Sequence, residues 1–190
     1  MGGGLDVAPG GGPRMTFTHR PLDPVADLDL VHGWVTQERA EFWGMTDYTR
    51  EEVGEVYAYL DSLSTHHAYL VLELPGEGAG TPECGVPVAI FQTYEPRHDP
   101  VGEAYPVREG DLGVHLFVGP GEPRSGFTGS LVAYVLRVLL ADPAVRRLVV
   151  EPDVRNERSV SRFLREGFER GPVVDLGHKT AQLAFLPRPT

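Results

Sequence analysis

Cysteine is almost missing from this chain: Cys84 is the single one in 190 residues. That excludes a disulfide framework and any zinc site built on cysteines, and it suits a reducing cytoplasm. No apolar run reaches the length of a bilayer-spanning helix, and no signal-peptide apolar core follows Met1. The chain is therefore expected to be cytoplasmic and independent of membranes. Basic residues are in the minority, with 17 Lys and Arg against 27 Asp and Glu and a formal net charge of -10. Nucleic-acid binding needs a basic footprint and is not expected. The acidic balance serves solubility first and cationic small substrates second. Several chemical signatures are missing too. No Gly-Lys-Ser/Thr closes a glycine loop, no GxGxxG follows the first strand, and neither HExxH nor GxSxG occurs. A P-loop, a dinucleotide fold, a zinc hydrolase and a serine-nucleophile enzyme are unsupported, and no metal is expected.

Glycine and proline are plentiful, 23 and 17 of them, and they punctuate regular elements. The length suits one domain. Residues 1–14, MGGGLDVAPGGGPR, have almost nothing to bury and read as a flexible tail. Residues 15–190 read as one folded domain, with Met15 an alternative start. MTFTHR is a short strand. PLDPVADLDLVHGWV carries Val25, Leu28, Leu30, Val31 and Trp34 near a 3.6 period and predicts a helix, with ERAEFWGM as its end or a loop. Thr49 and Glu52 form a capping-box pattern ahead of a helix whose apolar face holds Val53, Val56, Tyr57 and Leu60. AYLVLEL and VPVAIFQTYE predict a hairpin across the turn-rich PGEGAGTPECG. A long Pro-rich loop follows, of a length that is often functional.

DLGVHLFVG is the next strand, GPGEPRSG a loop, and FTGSLVAYVLRVLLAD a helix too apolar for the surface. VRRLVVEP is a strand and the following helix ends at Gly167. The last segment reads as two strands around Gly177. The order β–α–α–β–β–β–α–β–α–β–β, with crossover units in residues 111–168, predicts an α/β fold with a mixed, partly parallel sheet.

Two stretches suggest chemistry. GPGEPRSGFTGSL lies between a strand and a helix, where glycine backbone and a helix N-terminus favour an anion. Arg124 adds a candidate phosphate contact, although a Gly/Pro loop without a ligand explains the stretch equally well. In DLGVHLFVG, alternation puts His115 on one face with Gly113 and Phe117, while Val114, Leu116 and Val118 take the other. Asp153 follows the next predicted strand; if the two strands are parallel neighbours, His115 and Asp153 face one cleft, the alternative for Asp153 being an Asx-type turn before the helix. A histidine can take a proton near neutrality, and a carboxylate can orient it or hold an amine. Asn156 is the better helix cap, which leaves Asp153 without a capping duty. Arg158, Arg162 and Arg165 run along one face as a solvated stripe or a phosphate contact. His66, His67 and His178 carry no comparable pattern.

These residues are similar to those of the GNAT acyltransferase superfamily. More narrowly, the chain resembles siderophore-biosynthesis N-acyltransferases, which acylate N-hydroxylysine or related N-hydroxy-diamines. The resemblance rests on ERAEFWGM, on Tyr94, Asp99 and Tyr105, on D-x-G-x-H-L at Asp111 to Leu116, and on VVEPDVRN before a helix and GF. It covers about residues 15–186. The phosphate loop departs from the usual Q/R-x-x-G-x-G/A: Gly126 matches the first glycine, but Thr128 and Gly129 blur the rest.

The resemblance implies about six to seven strands flanked by about four helices. It implies acetyl-CoA or another acyl-CoA as co-substrate, lying in a wedge between splayed strands 112–118 and 146–152. His115 and Asp153 are implied as catalytic. Leu116, Phe117, Val118, Arg124, Gly126, Phe127, Thr128, Gly129 and Asn156 are implied as CoA contacts. Trp43, Tyr94, Asp99, Tyr105 and Asp111 are implied on the acceptor side. The expected partners are acyl-CoA and a small amine or N-hydroxyamine, in a monomer or homodimer. Another acceptor, such as an aminoglycoside or a polyamine, and a non-catalytic acyl-CoA-binding domain remain the competing readings.

Overall fold

Period-two alternation sorts the strand residues onto two faces, and each face collects its own helices. The computed structural model describes residues 15–75 and 85–189. The predicted tail 1–14 and residues 76–84 of the turn-rich connection, Cys84 included, lie outside them. In chain order come β1 (Thr16–Pro21), α1 (Leu28–Val35), a 3-10 helix (Glu38–Trp43), α2 (Arg50–Ser62), β2 (His66–Leu74), β3 (Val86–Tyr94), β4 (Asp111–Val118), α3 (Phe127–Leu139), β5 (Arg147–Val150), α4 (Glu157–Arg165), β6 (Glu169–Asp175) and β7 (Thr180–Pro187). This is the predicted order. Seven strands form one sheet in the order β1-β2-β3-β4-β5-β7-β6. On one face Val71, Phe91, Val114 and Leu148 pack against Leu131 and Val135 of α3 and Phe163 of α4. On the other, Leu70, Ile90 and Phe117 pack against Val31, Val35, Val53 and Tyr57 of α1 and α2. Consecutive residues such as Leu70 and Val71 thus feed opposite cores, and both cores depend on the same register.

The local signals decide where helices begin. Thr49 accepts from the Glu52 N–H while the Glu52 carboxylate accepts from the Thr49 N–H at 2.7 Å, a reciprocal capping box. Asn156 Oδ1 accepts from the Ser159 N–H at 3.1 Å and starts α4. Gly167 at φ 95° follows it as the stop, a conformation that favours glycine. One expectation is corrected. Val25 is 82% exposed and belongs to a turn before α1, which begins only at Leu28. Asp23 Oδ1 accepts from the Val25 and Ala26 N–H groups, so this side-chain turn competes with the helix and wins.

Only β4 and β5 pair in parallel among the described strands, and their ladder covers Asp111–Gly113 against Arg147–Val149. β4 then continues to Val118 while β5 stops at Val150. The chain beyond β5 follows β7 instead. Asp153 bridges Ala181, the Gln182 N–H donates to Pro152 O at 2.9 Å, and the Val154 N–H donates to Thr180 O at 3.0 Å. That pull opens a gap beside the second half of β4.

Candidate active site

The gap widens into a cleft of about 980 Å³ between the ends of β4 and β5, the 3-10 helix, α3 and α4. A smaller cavity of about 310 Å³ adjoins it, and Leu60, Gln92 and His115 border both. His115 therefore stands where the two spaces meet.

The ladder register explains what faces His115. His115 lies two residues beyond Gly113, and Glu151 lies two beyond Val149, the partner of Gly113. Two residues along a strand return to the same face, so the side chains meet across the gap. His115 Nε2 pairs with Glu151 Oε1. Its Nδ1 lies 3.3 Å from Gln92 Oε1, Gln92 being the neighbour of His115 in the β3–β4 register. Glu151 also accepts from the Tyr94 hydroxyl at 2.8 Å on Oε2 and from Lys179 Nζ at 3.3 Å on Oε1.

Burial alone would raise the Glu151 carboxyl. The His115 charge and hydrogen bond, then Lys179, then Tyr94 overcome this and hold it down to about 2. Glu151 is a buried carboxylate with its charge matched. Burial and the Glu151 charge push the Tyr94 phenol well above its ordinary range, so it stays a donor. The Tyr94 ring faces Gly113 in register, where a Cβ would stand 2.1 Å from the ring. The glycine of the D-x-G-x-H-L run is thus a space requirement.

His115 and Asp153 share the large cleft, as expected. Of the two roles open to Asp153, orienting the histidine falls to Glu151 instead, and Asp153 is bound to Arg155. Asp153 accepts from the Arg155 N–H at 2.8 Å and from its guanidinium at 3.0 and 2.7 Å. That hydrogen bonding draws the Asp153 carboxyl below its ordinary value, against the smaller effect of burial. Glu151 escaped the sequence reading because its partner is set by strand register. The available signal was an acid ending the apolar run VRRLVV.

The remaining expected residues divide. Leu116, Phe117, Val118, Thr128 and Asn156 line the large cleft, with Trp43 edge-on to His115 at 6.2 Å between ring centroids. Tyr94 and Asp99 border the smaller cavity. Asp99 Oδ1 also accepts from the Val101 N–H at 2.9 Å, and its Oδ2 lies 3.7 Å from His66 Nε2. Tyr105 and Asp111 lie apart from both spaces. Asp111 accepts two bonds from the Arg147 guanidinium at 2.7 and 2.6 Å, and one from the Tyr105 hydroxyl at 3.0 Å. That cluster pins the start of the β4–β5 ladder. Arg124 is turned back onto Glu73 in a two-point ion pair at 2.8 and 2.7 Å, over the Phe127 ring.

Gly126, Phe127 and Gly129 form the start of α3. Gly126 at φ 76° precedes the helix, and no side chain caps it, so its first N–H groups favour an anion. Arg158, Arg162 and Arg165 of α4 line the cleft, and the Arg162 guanidinium lies 3.5 Å from where a Cβ on Gly129 would stand. An uncapped helix start with basic side chains fits the phosphates of an acyl-CoA.

A sheet that opens beside its parallel strand pair is the class of fold the sequence resemblance implied. The chain belongs to the acetyltransferase (GNAT) domain family, whose profile matches residues 23–176. It is 26% identical over 179 residues to the N(6)-hydroxylysine O-acetyltransferase of Escherichia coli, covering 92% of this chain and 53% of that protein. It is 25% identical over 164 residues to an N5-hydroxyornithine acetylase of Beauveria bassiana, covering 85% of this chain and 28% of that one. The chain thus spans about half, or less, of the length of these curated relatives. Among solved structures, an aminoglycoside acetyltransferase in complex with coenzyme A and kanamycin matches with a TM-score of 0.74 at 22% identity, over 91% of this chain and 95% of that chain. At that identity the likeness shows the fold. Among the described residues, no helix is long and apolar enough to cross a membrane.

Proposed function

We propose that this chain is an acyl-CoA-dependent N-acyltransferase. Its proposed acceptor is an N-hydroxylated amine, N-hydroxylysine or an N-hydroxy-diamine, in hydroxamate siderophore biosynthesis. The observation that carries the proposal is the position of His115. It stands at the parting of β4 and β5, held by a buried carboxylate, with Nδ1 away from that carboxylate. The names of the two relatives support the acceptor class.

The thioester supplies an activated acyl group; the chain's residues do the rest. The α3 start and the α4 arginines hold the phosphates. Backbone groups of β4 beyond Gly113 polarise the thioester carbonyl. His115 Nδ1 takes the proton from the attacking nitrogen as the new C–N bond forms and the C–S bond breaks. Asp153 holds the acceptor in place. A neutral N-hydroxyamine gives up its proton more readily than an alkylammonium, so a modest base suffices. Bringing both partners into one cleft supplies much of the acceleration.

The test is a free-thiol release assay crossing several acyl-CoAs with hydroxylated and plain diamines, N-hydroxylysine and an aminoglycoside. A hydroxylated amine should give the highest kcat/KM, with a product that forms a coloured ferric hydroxamate. A preference for the plain polyamine or the aminoglycoside would reassign the acceptor. Coenzyme A binding without turnover of any amine would make the chain a binding domain.

A further inference from the structure

Lys179 has no part in the mechanism above, although it touches its central pair. It immediately precedes β7, after the turn that Gly177 makes at φ 81°. Its side chain is 20% exposed and its Nζ lies 3.3 Å from Glu151 Oε1. The same oxygen holds His115 Nε2, while Oε2 takes the Tyr94 hydroxyl. One oxygen of a buried carboxylate therefore serves two groups that can each carry a positive charge.

Charge balance decides the consequence. A buried carboxylate is stable when one positive charge compensates it. With His115 alone, Glu151 would draw a proton onto the imidazole, and an imidazolium has no lone pair with which to act as a base. An ammonium group is a cation at neutral pH and can supply the charge instead. We infer that Lys179 is a positioning residue that neutralises Glu151, so that His115 keeps Nε2–H on the carboxylate and a lone pair on Nδ1, beside the Gln92 side-chain amide, which meets that lone pair with its NH2 group when turned over.

The other groups around the pair do not replace it. Tyr94, from β3, is a neutral donor. Asp153 and Arg155, after β5, bind each other. His178, in the hairpin turn, lies against the Leu176 carbonyl. His66 and Asp99 face each other across the smaller cavity. The sequence shows Lys179 only as part of the turn GHKT, and the hairpin between β6 and β7 brings it to the cleft.

The inference rests on the proposed function for its kinetic consequence, so one readout is independent of acyl transfer. The His115 imidazole is titrated by NMR in the wild type and in Lys179→Met, Lys179→Arg and Glu151→Gln. Lys179→Met should move the midpoint to higher pH, Lys179→Arg should keep it, and Glu151→Gln should lower it. In parallel, Lys179→Met should lower kcat/KM roughly tenfold at pH 6 and recover toward the wild-type rate at high pH. An unchanged midpoint in Lys179→Met, or a rate loss equal at every pH, overturns the inference. Lys179→Gln, which keeps a donor for Glu151, carries the same titration if the Met variant does not fold. Absence of acyl transfer in the wild type would remove the proposed function, while the titration still judges Lys179.

Discussion

His115 and Glu151 meet across the gap that opens where β4 and β5 stop pairing. Their sequence separation is large, yet the register of three ladder pairs is enough to aim one at the other. The carboxylate is buried, so it fixes the ring orientation and leaves Nδ1 on the cleft side beside Gln92.

Replacing the base is the most direct check. His115→Ala should lower kcat by roughly 10²–10⁴, the usual contribution of a general base. The melting temperature should fall as well at neutral pH, because the buried Glu151 carboxylate loses the imidazole on its Oε1. Turnover at the wild-type rate would remove His115 from the mechanism.

Glu151 links the site to acid stability. Its folded value, about 2, lies below the ordinary 4.5. The sign follows: its ionised form stabilises the fold fully above about pH 4.5, and that stabilisation is lost as pH falls through about 2. Glu151→Gln should melt lower than the wild type at pH 7, and the difference should shrink as the pH is lowered from 5 to 2. A constant difference in Tm over that range would contradict the assignment.

Gly113→Ala tests the space under Tyr94. The added methyl would stand 2.1 Å from the ring, so the ring or the strand must shift. A stability loss of about 1–3 kcal/mol is expected from such overpacking. Activity should fall as well, since the Tyr94 hydroxyl would leave Glu151. Urea unfolding and the thiol assay measure the two effects.

Asp111→Asn separates structural from functional carboxylates. Asp111 and Arg147 form a buried pair at the start of the β4–β5 ladder. Breaking such a pair costs about 3–5 kcal/mol. The surviving folded fraction should keep its acceptor KM, because Asp111 borders neither cavity. A selective rise in acceptor KM would return it to the substrate side.

Asp153→Asn removes a charge from the cleft while keeping the size. Hydrogen bonds to a charged group are worth about 1.5–3 kcal/mol, so the acceptor KM should rise roughly tenfold or more. The KM for acyl-CoA should be nearly unchanged. Equal rises in both would point to a collapsed cleft.

Much of the frame was legible in the chain because its signals are local. The Thr49–Glu52 box, the Asn156 cap and the Gly167 stop each depend on three or four adjacent residues. The alternation in DLGVHLFVG put His115 and Phe117 on one face and Val114 on the other, which the two cores reproduce. The Val25 expectation failed on an equally local matter, the Asp23 side-chain turn, which apolar spacing does not reveal.

The site was less legible because its partners come from separate strands. Asp153 was singled out for lacking a capping duty, yet Arg155 occupies it. Arg124 sat in a glycine loop that suggests phosphate, and it pairs with Glu73, 51 residues away. Tyr105 and Asp111 belonged to the resembling motif, and Arg147 draws them into the sheet.

By itself, the sequence determined the order of elements and the two-faced strands, while the shared cleft of His115 and Asp153 followed only once β4 and β5 paired in parallel. The order and the faces follow from periodicity and capping, which act over a few residues. Only the tertiary structure decided that Glu151 holds the histidine and that Lys179 shares the same oxygen. Both depend on where the β4–β5 ladder ends and on the hairpin that delivers Lys179, and such register is fixed by packing between distant segments.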